Sequence, residues 1–151
     1  MKSIGFAALC VLLFAGCADM GRTLTKECEA PKDTIIRVQD GAYPVVSQDP
    51  IYVCKSDVKL TWVIDPNQTS RYEFKEDSIV VHDVDDEFAS CKGKNGGELD
   101  GKHKIKCHDL NKKHGQGLAK RSYKYDIRIY PAGSAADAAP AATYDPSIAN
   151  D

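Results

Sequence analysis

The sequence lacks the motifs by which most enzymes and nucleic-acid-binding proteins are recognised. Its 20 basic and 22 acidic residues give a formal net charge of −2, so no overall charge favours binding to nucleic acid. No serine lies in a nucleophile-elbow context, and no glycine-rich loop is suited to holding a phosphate. We therefore expect a protein that is not an enzyme and that uses no cofactor.

The sequence also has no sustained helical periodicity and no apolar run long enough to cross a bilayer comfortably. A spanning helix needs about 20 apolar residues, whereas the apolar stretch at residues 4–16 is shorter. Lys2 precedes this stretch, and a positive residue followed by a short apolar region is typical of a secretory signal peptide. The chain is therefore predicted to be exported.

What the sequence has in abundance is cysteine, with six in 151 residues. Cytosolic proteins rarely keep so many thiols without a metal or a redox role, so the number favours an oxidising compartment. Cys10 would leave with the signal peptide. The remaining cysteines then call for separate explanations, one for Cys17 and one for the four that follow it.

Residues 13–17 read Leu-Phe-Ala-Gly-Cys, a sequence that resembles the lipobox of bacterial lipoproteins. Phe14 departs from that pattern, since the family usually has leucine there. The resemblance implies cleavage before Cys17 and acylation of this cysteine by fatty acids, which would anchor the chain stably. Ala18 follows where many inner-membrane lipoproteins carry aspartate, which favours the outer membrane, on its periplasmic side. The alternative is an ordinary signal peptide cut nearby, with Cys17 as a simple thiol.

Four cysteines remain in the expected mature chain, namely Cys28, Cys54, Cys91 and Cys107. An even number in an exported domain indicates two disulfides, for which three connectivities are possible. We favour Cys91–Cys107, because these two flank a loop rich in glycine and lysine between probable strands. Cys28–Cys54 then follows by elimination.

The pattern of the mature chain predicts an all-β fold with four consecutive parts. Residues 1–16 are the signal peptide, residues 17–33 a polar lipidated tether, and residues 34–130 the folded domain. Short segments of alternating polarity separated by turn signals predict an antiparallel two-sheet β-sandwich, stapled by disulfides and similar to the cupredoxin or immunoglobulin architecture. Residues 131–151 are rich in alanine and proline and are predicted to be disordered, although Tyr144 and Ile148 could dock onto the sandwich or a partner.

The domain resembles the cupredoxin family in the strand that contains Val58, Leu60 and Trp62, and in the later strands around Cys107 and Tyr123–Ile127. The resemblance implies a similar sandwich, but it does not imply a blue-copper centre. Such a centre needs two histidines and one cysteine in a plane. No histidine lies between Trp62 and Phe74, and His108 directly follows Cys107, so it points to the other face of the strand.

Three histidines and one cysteine nevertheless crowd a single segment of the chain. His103 and Cys107 are expected on one face of a strand, with His108 and His114 nearby. Histidine and cysteine are the ligands that zinc and copper prefer. A periplasmic copper- or zinc-handling protein that uses His103, Cys107, His108 and His114 is therefore the alternative function.

Charge is unevenly distributed along the domain. Residues 73–87 are acidic, whereas residues 92–128 are basic. A basic surface would attract an anionic envelope component or an acidic protein, unless the two stretches neutralise each other across neighbouring strands. We expect non-catalytic binding of an envelope protein or anionic polymer through the basic residues Lys102, Lys104, Lys106, Lys112, Lys113, Lys120 and Arg121.

Overall fold

The part of the chain that the computed structural model describes is built from β-strands. It comprises residues 29–40, 43–82, 86–91, 96–115 and 121–151. Within these residues one 3₁₀ turn occurs at Pro66–Gln68. The strands are β1 Thr34–Gln39, β2 Tyr43–Val46, β3 Ile51–Val53, β4 Val58–Ile64, β5 Tyr72–Glu73, β6 Ile79–Val81, β7 Phe88–Ala89, β8 Glu98–Leu99, β9 Lys104–Asp109, β10 Arg121–Pro131, β11 Ala142–Tyr144 and β12 Ser147–Asn150.

The strands form two sheets that pack face to face, so the predicted two-sheet sandwich is confirmed. Sheet I has the order β2-β1-β4-β9-β7, with β8 also paired to β9. In sheet II the long strand β10 pairs with β5 and β6 and with β11 and β12, and β3 extends the sheet beyond β12. Each sheet contains one parallel pair, β1 with β4 and β12 with β3. Both sheets are therefore mixed rather than purely antiparallel.

Alternation of apolar and polar residues explains which faces of the strands are buried. Successive side chains of a strand point to opposite faces, so every second residue enters the core. Trp62 of β4 and Tyr125 of β10 meet across the sheets with their ring centroids 5.4 Å apart. The inward residues of these two strands are Val58, Leu60, Trp62 and Ile64, and Tyr123, Tyr125, Ile127 and Ile129.

One lateral edge of the sandwich, which we call the closed edge, is bridged by main-chain hydrogen bonds between the sheets. The N–H of Val81 donates to the carbonyl of Cys91 at 2.8 Å, and the N–H of Gly97 donates to the carbonyl of Ile79 at 3.0 Å. A Cβ at Gly96 would lie 2.3 Å from the carbonyl oxygen of Glu76. Glycine is therefore required for so close an approach of the backbones.

The opposite edge, which we call the switch edge, is formed by a segment that leaves one sheet and enters the other. Strand β2 belongs to sheet I and β3 to sheet II. Between them Asp49 accepts hydrogen bonds from the hydroxyl of Tyr144 at 3.0 Å and from the N–H of Ser147 at 3.1 Å. This carboxylate therefore ties the crossing segment to the last two strands.

The prediction of a disordered tail at residues 131–151 is wrong for its last part, which contains β11 and β12. Tyr144 pairs with Ile127 and Ser147 pairs with Lys124, so the register along β10 is unchanged across the short break between the two strands. Ile148 is completely buried. These residues are ordered because burial of Ile148 and main-chain pairing with β10 stabilise them, although their composition is poor in apolar residues.

The disulfide between Cys91 and Cys107 is present as predicted, with a Cα–Cα distance of 5.4 Å. Both cysteines are buried, so the bond fastens the chain after β7 to the centre of β9. Cys54 is also disulfide-bonded. Its predicted partner Cys28 lies outside the described residues, as do Cys17, the whole signal region and most of the predicted tether.

Candidate functional site

Ion pairs neutralise much of the basic stretch on which the predicted binding surface was based. Lys106 pairs with Asp100 on the outer face of sheet I. Three further pairs join the acidic residues 73–87 to the basic stretch: Lys102 to Glu73 at 3.1 Å, Arg121 to Glu87 at 2.5 Å and Arg128 to Asp77 at 3.3 Å. The role predicted for Lys102, Lys106 and Arg121 is therefore corrected, because neighbouring carboxylates compensate their charges.

The other predicted binding residues do not form one surface either. The N–H of Lys112 donates to Glu87 at 2.6 Å in the turn after β9. Lys113 is half-buried in the same turn, and Lys120 lies outside the described residues. Lys104 remains on the outer face of sheet I, opposite Val63 of β4. Within the described ranges its ammonium group forms no ion pair.

The four predicted metal ligands do not converge, so the metal site is corrected as well. The sulfur of Cys107 is bonded to Cys91. His108 lies on the outer face of β9 with its Nδ1 3.2 Å from the carboxylate of Asp57, and Nδ1 of His114 lies 2.9 Å from the main-chain oxygen of Asp151. His103 precedes β9. The described residues contain no group of three or more His, Cys, Asp or Glu side chains able to hold a metal.

The most distinctive exposed feature is an apolar stripe across sheet I, formed by Tyr43, Val45, Ile35 and Val63. Tyr43 is 70% exposed, and Val45 and Ile35 are each 43% exposed. On β1, Ile35 pairs directly with Val63 of β4. Val45 of β2 pairs with Arg37, which lies two residues after Ile35 on the same face of β1. The stripe therefore runs from the edge strand β2 across β1 to β4, where Lys104 continues it.

Arg37 stands beside this stripe in a fixed orientation. Its Nε donates to Asp65 Oδ2 at 2.6 Å, although 59% of its side chain is exposed. Asp65 is buried and is held in turn by the N–H of Asn67 at 2.9 Å. The hydrogen bond from the N–H of Asn67 is the main cause of a lowered pKa of Asp65, and the hydrogen bond from Arg37 is the second cause. The carboxylate therefore stays charged. Only Nε is used by the pair, and among the described residues the two terminal nitrogens have no hydrogen-bond partner, so they could bind a planar oxyanion.

The outer edge of β2, which lies beside β11 of sheet II, is poorly suited to pairing with a further strand. The main-chain N and O of Val38 bond Gln68, and the carbonyl of Ile36 bonds Asp65, all on the side of β1 away from β2. Their partners Pro44 and Val46 consequently direct their main-chain groups outward. Proline has no N–H, so Val46 supplies the one outward donor of β2. A ligand of the stripe is therefore recognised by side chains.

A buried polar cluster closes one end of the sandwich. Asp109 Oδ1 accepts from the N–H of Asn111 at 2.9 Å and from Nδ2 of Asn150 at 3.1 Å. Its other oxygen and Oδ1 of Asn150 have no partner in the described structure. Burial raises the pKa of Asp109 to about 6. The charge of Glu87 adds to this shift, and the charge of Arg121 opposes it. The cluster joins β9 to β12, and we assign it a structural role.

The outer face of sheet II carries a second set of hydrogen-bonded charges. Nε2 of His82 lies 2.8 Å from Asp126 Oδ1, and Arg128 Nη2 lies 2.8 Å from Asp126 Oδ2. A shallow depression of about 490 Å³ adjoins them and is lined partly by Thr143 and Tyr144. The charges compensate one another, and no nucleophile bonds to His82 among the described residues. This face is therefore the less suited of the two to binding.

Sequence reasoning missed the stripe and Arg37. The alternation in β1 and β2 predicts that Ile35, Arg37, Tyr43 and Val45 point away from the core, so large apolar residues at outward positions were the available signal. No family model matches the chain, and no curated protein matches it significantly. In the described part of the chain, no helix has the length and apolar character that a membrane crossing requires.

Proposed function

We propose that this chain is a lipid-anchored envelope protein whose sandwich is a non-catalytic binding module. In this proposal Cys17 carries the lipid and holds the chain on the periplasmic side of the outer membrane. The disulfides of Cys91, Cys107 and Cys54 support an oxidising compartment. The lipobox-like sequence before Cys17 supports the anchor.

The observation that carries the binding function is the apolar stripe beside a fixed arginine. Exposed apolar residues scattered singly are ordinary, whereas a contiguous group with a polar rim marks an interaction surface. Tyr43, Val45 and Ile35 form such a group, and Arg37 and Lys104 flank it. The ligand is therefore expected to combine apolar surface with negative charge.

The anchor is tested by the intact mass of the mature protein purified from membranes, measured with and without reduction. We expect a mass that lacks residues 1–16, an addition that corresponds to acyl chains, and a gain of about four hydrogens on reduction, two for each disulfide. An unlipidated product would contradict the anchor. Free thiols in the native protein would contradict the assigned compartment.

The binding surface is tested separately by photo-crosslinking in intact cells. A photoreactive amino acid at position 43, in the stripe, is expected to form adducts with an envelope component. The matched control is position 52, because Tyr52 is comparably exposed, at 57%, but lies on β3 in the other sheet. Equal yields at the two positions would contradict the assignment of sheet I as the binding face.

A further inference from the structure

The chemistry of the apolar stripe suits the interface between a lipid bilayer and water. Tyr43 presents a large ring with a polar tip, and such amphipathic rings are enriched at the level of the lipid headgroups. Val45 and Ile35 add aliphatic surface next to it. Pro44 deprives the edge of a donor, so a partner strand is a poor occupant of this site.

The cations around the stripe suit lipid phosphates. Asp65 compensates the charge of Arg37, but the two terminal nitrogens of Arg37 have no hydrogen-bond partner among the described residues, and a guanidinium can donate to phosphate oxygens bidentately. Lys104 lies at the other end of the stripe, opposite Val63, and Lys59 lies on the same face of β4. Asp100 pairs with Lys106 and is influenced more weakly by Lys104 and Lys59. Asp100 is therefore already engaged by Lys106.

The position of the stripe relative to the proposed anchor allows it to reach the bilayer. β1 is the first strand of the described chain, and Ile35 of the stripe is its second residue. The residues between Cys17 and Ile35 span at most about 60 Å when fully extended. A tether of this length keeps the face at high effective concentration near the membrane, so even a weak contact is populated.

We propose that the apolar stripe and Arg37 dock sheet I onto the headgroups of an anionic phospholipid membrane. This inference rests on the proposed function and names the ligand of the same surface. Docking would orient the sandwich with sheet I towards the bilayer and sheet II towards the periplasm. The hydrogen-bonded charges of His82, Asp126 and Arg128 on the outer face of sheet II would then face away from the membrane.

The test uses the mature chain, residues 17–151, with Cys17→Ser so that no lipid contributes to binding. Its probes are vesicles of phosphatidylethanolamine and phosphatidylglycerol, and vesicles of phosphatidylcholine alone as the neutral reference. Co-sedimentation is measured at low and at high salt. We expect binding to the anionic vesicles that weakens with salt, and binding to the neutral vesicles that is weaker by about tenfold or more.

Matched variants separate the stripe from the rest of the surface. Tyr43→Ser and Arg37→Gln are each expected to weaken binding to anionic vesicles by about fivefold, the effect of one interfacial group. Tyr52→Ser removes an equally large exposed ring from the other sheet and is expected to bind like the parent. Circular dichroism and unfolding curves verify that each variant is folded.

The outcomes distinguish this inference from the proposed function. Equal binding by the parent and the folded Tyr43→Ser and Arg37→Gln variants, or equal binding to neutral vesicles, would overturn the docking proposal and make a protein the better occupant of the stripe. The anchor would be unaffected, because it is measured by mass. Conversely, stripe-dependent binding by a chain that is not lipidated in cells would support docking and contradict the anchor.

Discussion

The two sheets of the sandwich are connected differently at its two lateral edges. At the closed edge the backbones of the two sheets approach directly, and Gly96 and Gly97 leave room for hydrogen bonds between them. At the switch edge one segment passes from sheet I to sheet II, held by the carboxylate of Asp49. At the first edge main-chain hydrogen bonds join the two sheets. At the second edge β11 lies beside β2, the described residues form no main-chain hydrogen bond between these two strands, and large side chains are exposed.

The difference shows that large apolar side chains are exposed beside the switch edge and that the fold does not require such exposure at every edge. Three residues of the stripe, Tyr43, Val45 and Ile35, lie on β1 and β2 beside the crossing segment. The closed edge demonstrates that this fold can cover an edge without exposing large apolar groups. We infer that the closed edge contributes mainly to stability and the switch edge mainly to recognition, and substitutions at the two edges should separate these contributions.

The largest effect is expected at the closed edge. A Cβ at position 96 would lie 2.3 Å from the carbonyl oxygen of Glu76 and 2.5 Å from that of Ile79. Since neither main-chain atom can rotate away, Gly96→Ala should lower the free energy of unfolding by about 3 kcal/mol. Urea unfolding followed by the fluorescence of Trp62 measures this loss.

Gly101→Ala is the control for that substitution. Gly101 has φ of +73° and no atom within 4 Å of an added Cβ, so only backbone strain opposes alanine there. We expect a loss of about 1 kcal/mol. A loss at position 96 no larger than at position 101 would show that close packing does not hold the closed edge.

A pH-dependent effect is expected at the end of the sandwich that the Asp109 cluster closes. The folded-state pKa of Asp109 is raised from 3.8 to about 6, so folding favours the neutral acid. Its stabilising contribution is complete below pH 4 and is lost as the pH rises through 6. The free energy of unfolding should therefore fall by about 2 to 3 kcal/mol over this range.

Asp109→Asn should remove this pH dependence, because the amide is uncharged and similar in shape. The variant should be more stable than the parent above pH 6. Asp100→Asn is the matched control, because pairing with Lys106 lowers the pKa of this exposed carboxylate below its ordinary value of 3.8, so its removal should leave the slope between pH 4 and 8 unchanged. Unfolding curves measured from pH 4 to 8 test both, and a parent-like slope for Asp109→Asn would refute the assignment.

A moderate effect is expected where the switch edge is tied to the last strands. Asp49 accepts from the hydroxyl of Tyr144 and from both the N–H and the hydroxyl of Ser147. Asp49→Ala removes these exposed hydrogen bonds and should lower the free energy of unfolding by about 1 to 2 kcal/mol. Asp145→Ala, in the break between β11 and β12, should change it by less than about 0.5 kcal/mol.

The smallest effect on stability is expected in the stripe itself. Tyr43→Ser and Val45→Thr alter exposed side chains, so each should change the free energy of unfolding by less than about 0.5 kcal/mol. The same variants should weaken the proposed binding to anionic vesicles. A stripe variant that unfolds easily would contradict the division of roles between the edges.

The sequence predicted the interior of the sandwich better than its ends. Alternation alone identified β4, β9 and β10, because a strand buried on one face must repeat every two residues. The Cys91–Cys107 disulfide was also predicted correctly, from the loop that these residues flank. The parallel pairing of β1 with β4 was not predicted, because alternation fixes the face of a residue and leaves the neighbouring strand undetermined.

The last strands and the candidate site were harder to predict for a common reason. β11 and β12 depend on pairing with β10, and the neutralisation of Lys102 and Arg121 depends on Glu73 and Glu87. These pairing partners are distant in sequence, so no pattern among neighbouring residues predicts them. The divergence of His108 from Cys107 was predicted, because adjacent residues in a strand point to opposite faces.

Pro44 has a consequence for copies of this protein if the proposed anchor holds them on one membrane. Molecules confined to a surface collide far more often than molecules in solution, and exposed strand edges are the usual route by which collisions become aggregates. Here the outward edge of β2 offers one N–H, at Val46, so two such edges cannot form a continuous ladder. A single proline ring thus limits strand pairing between copies at the edge next to the exposed apolar stripe.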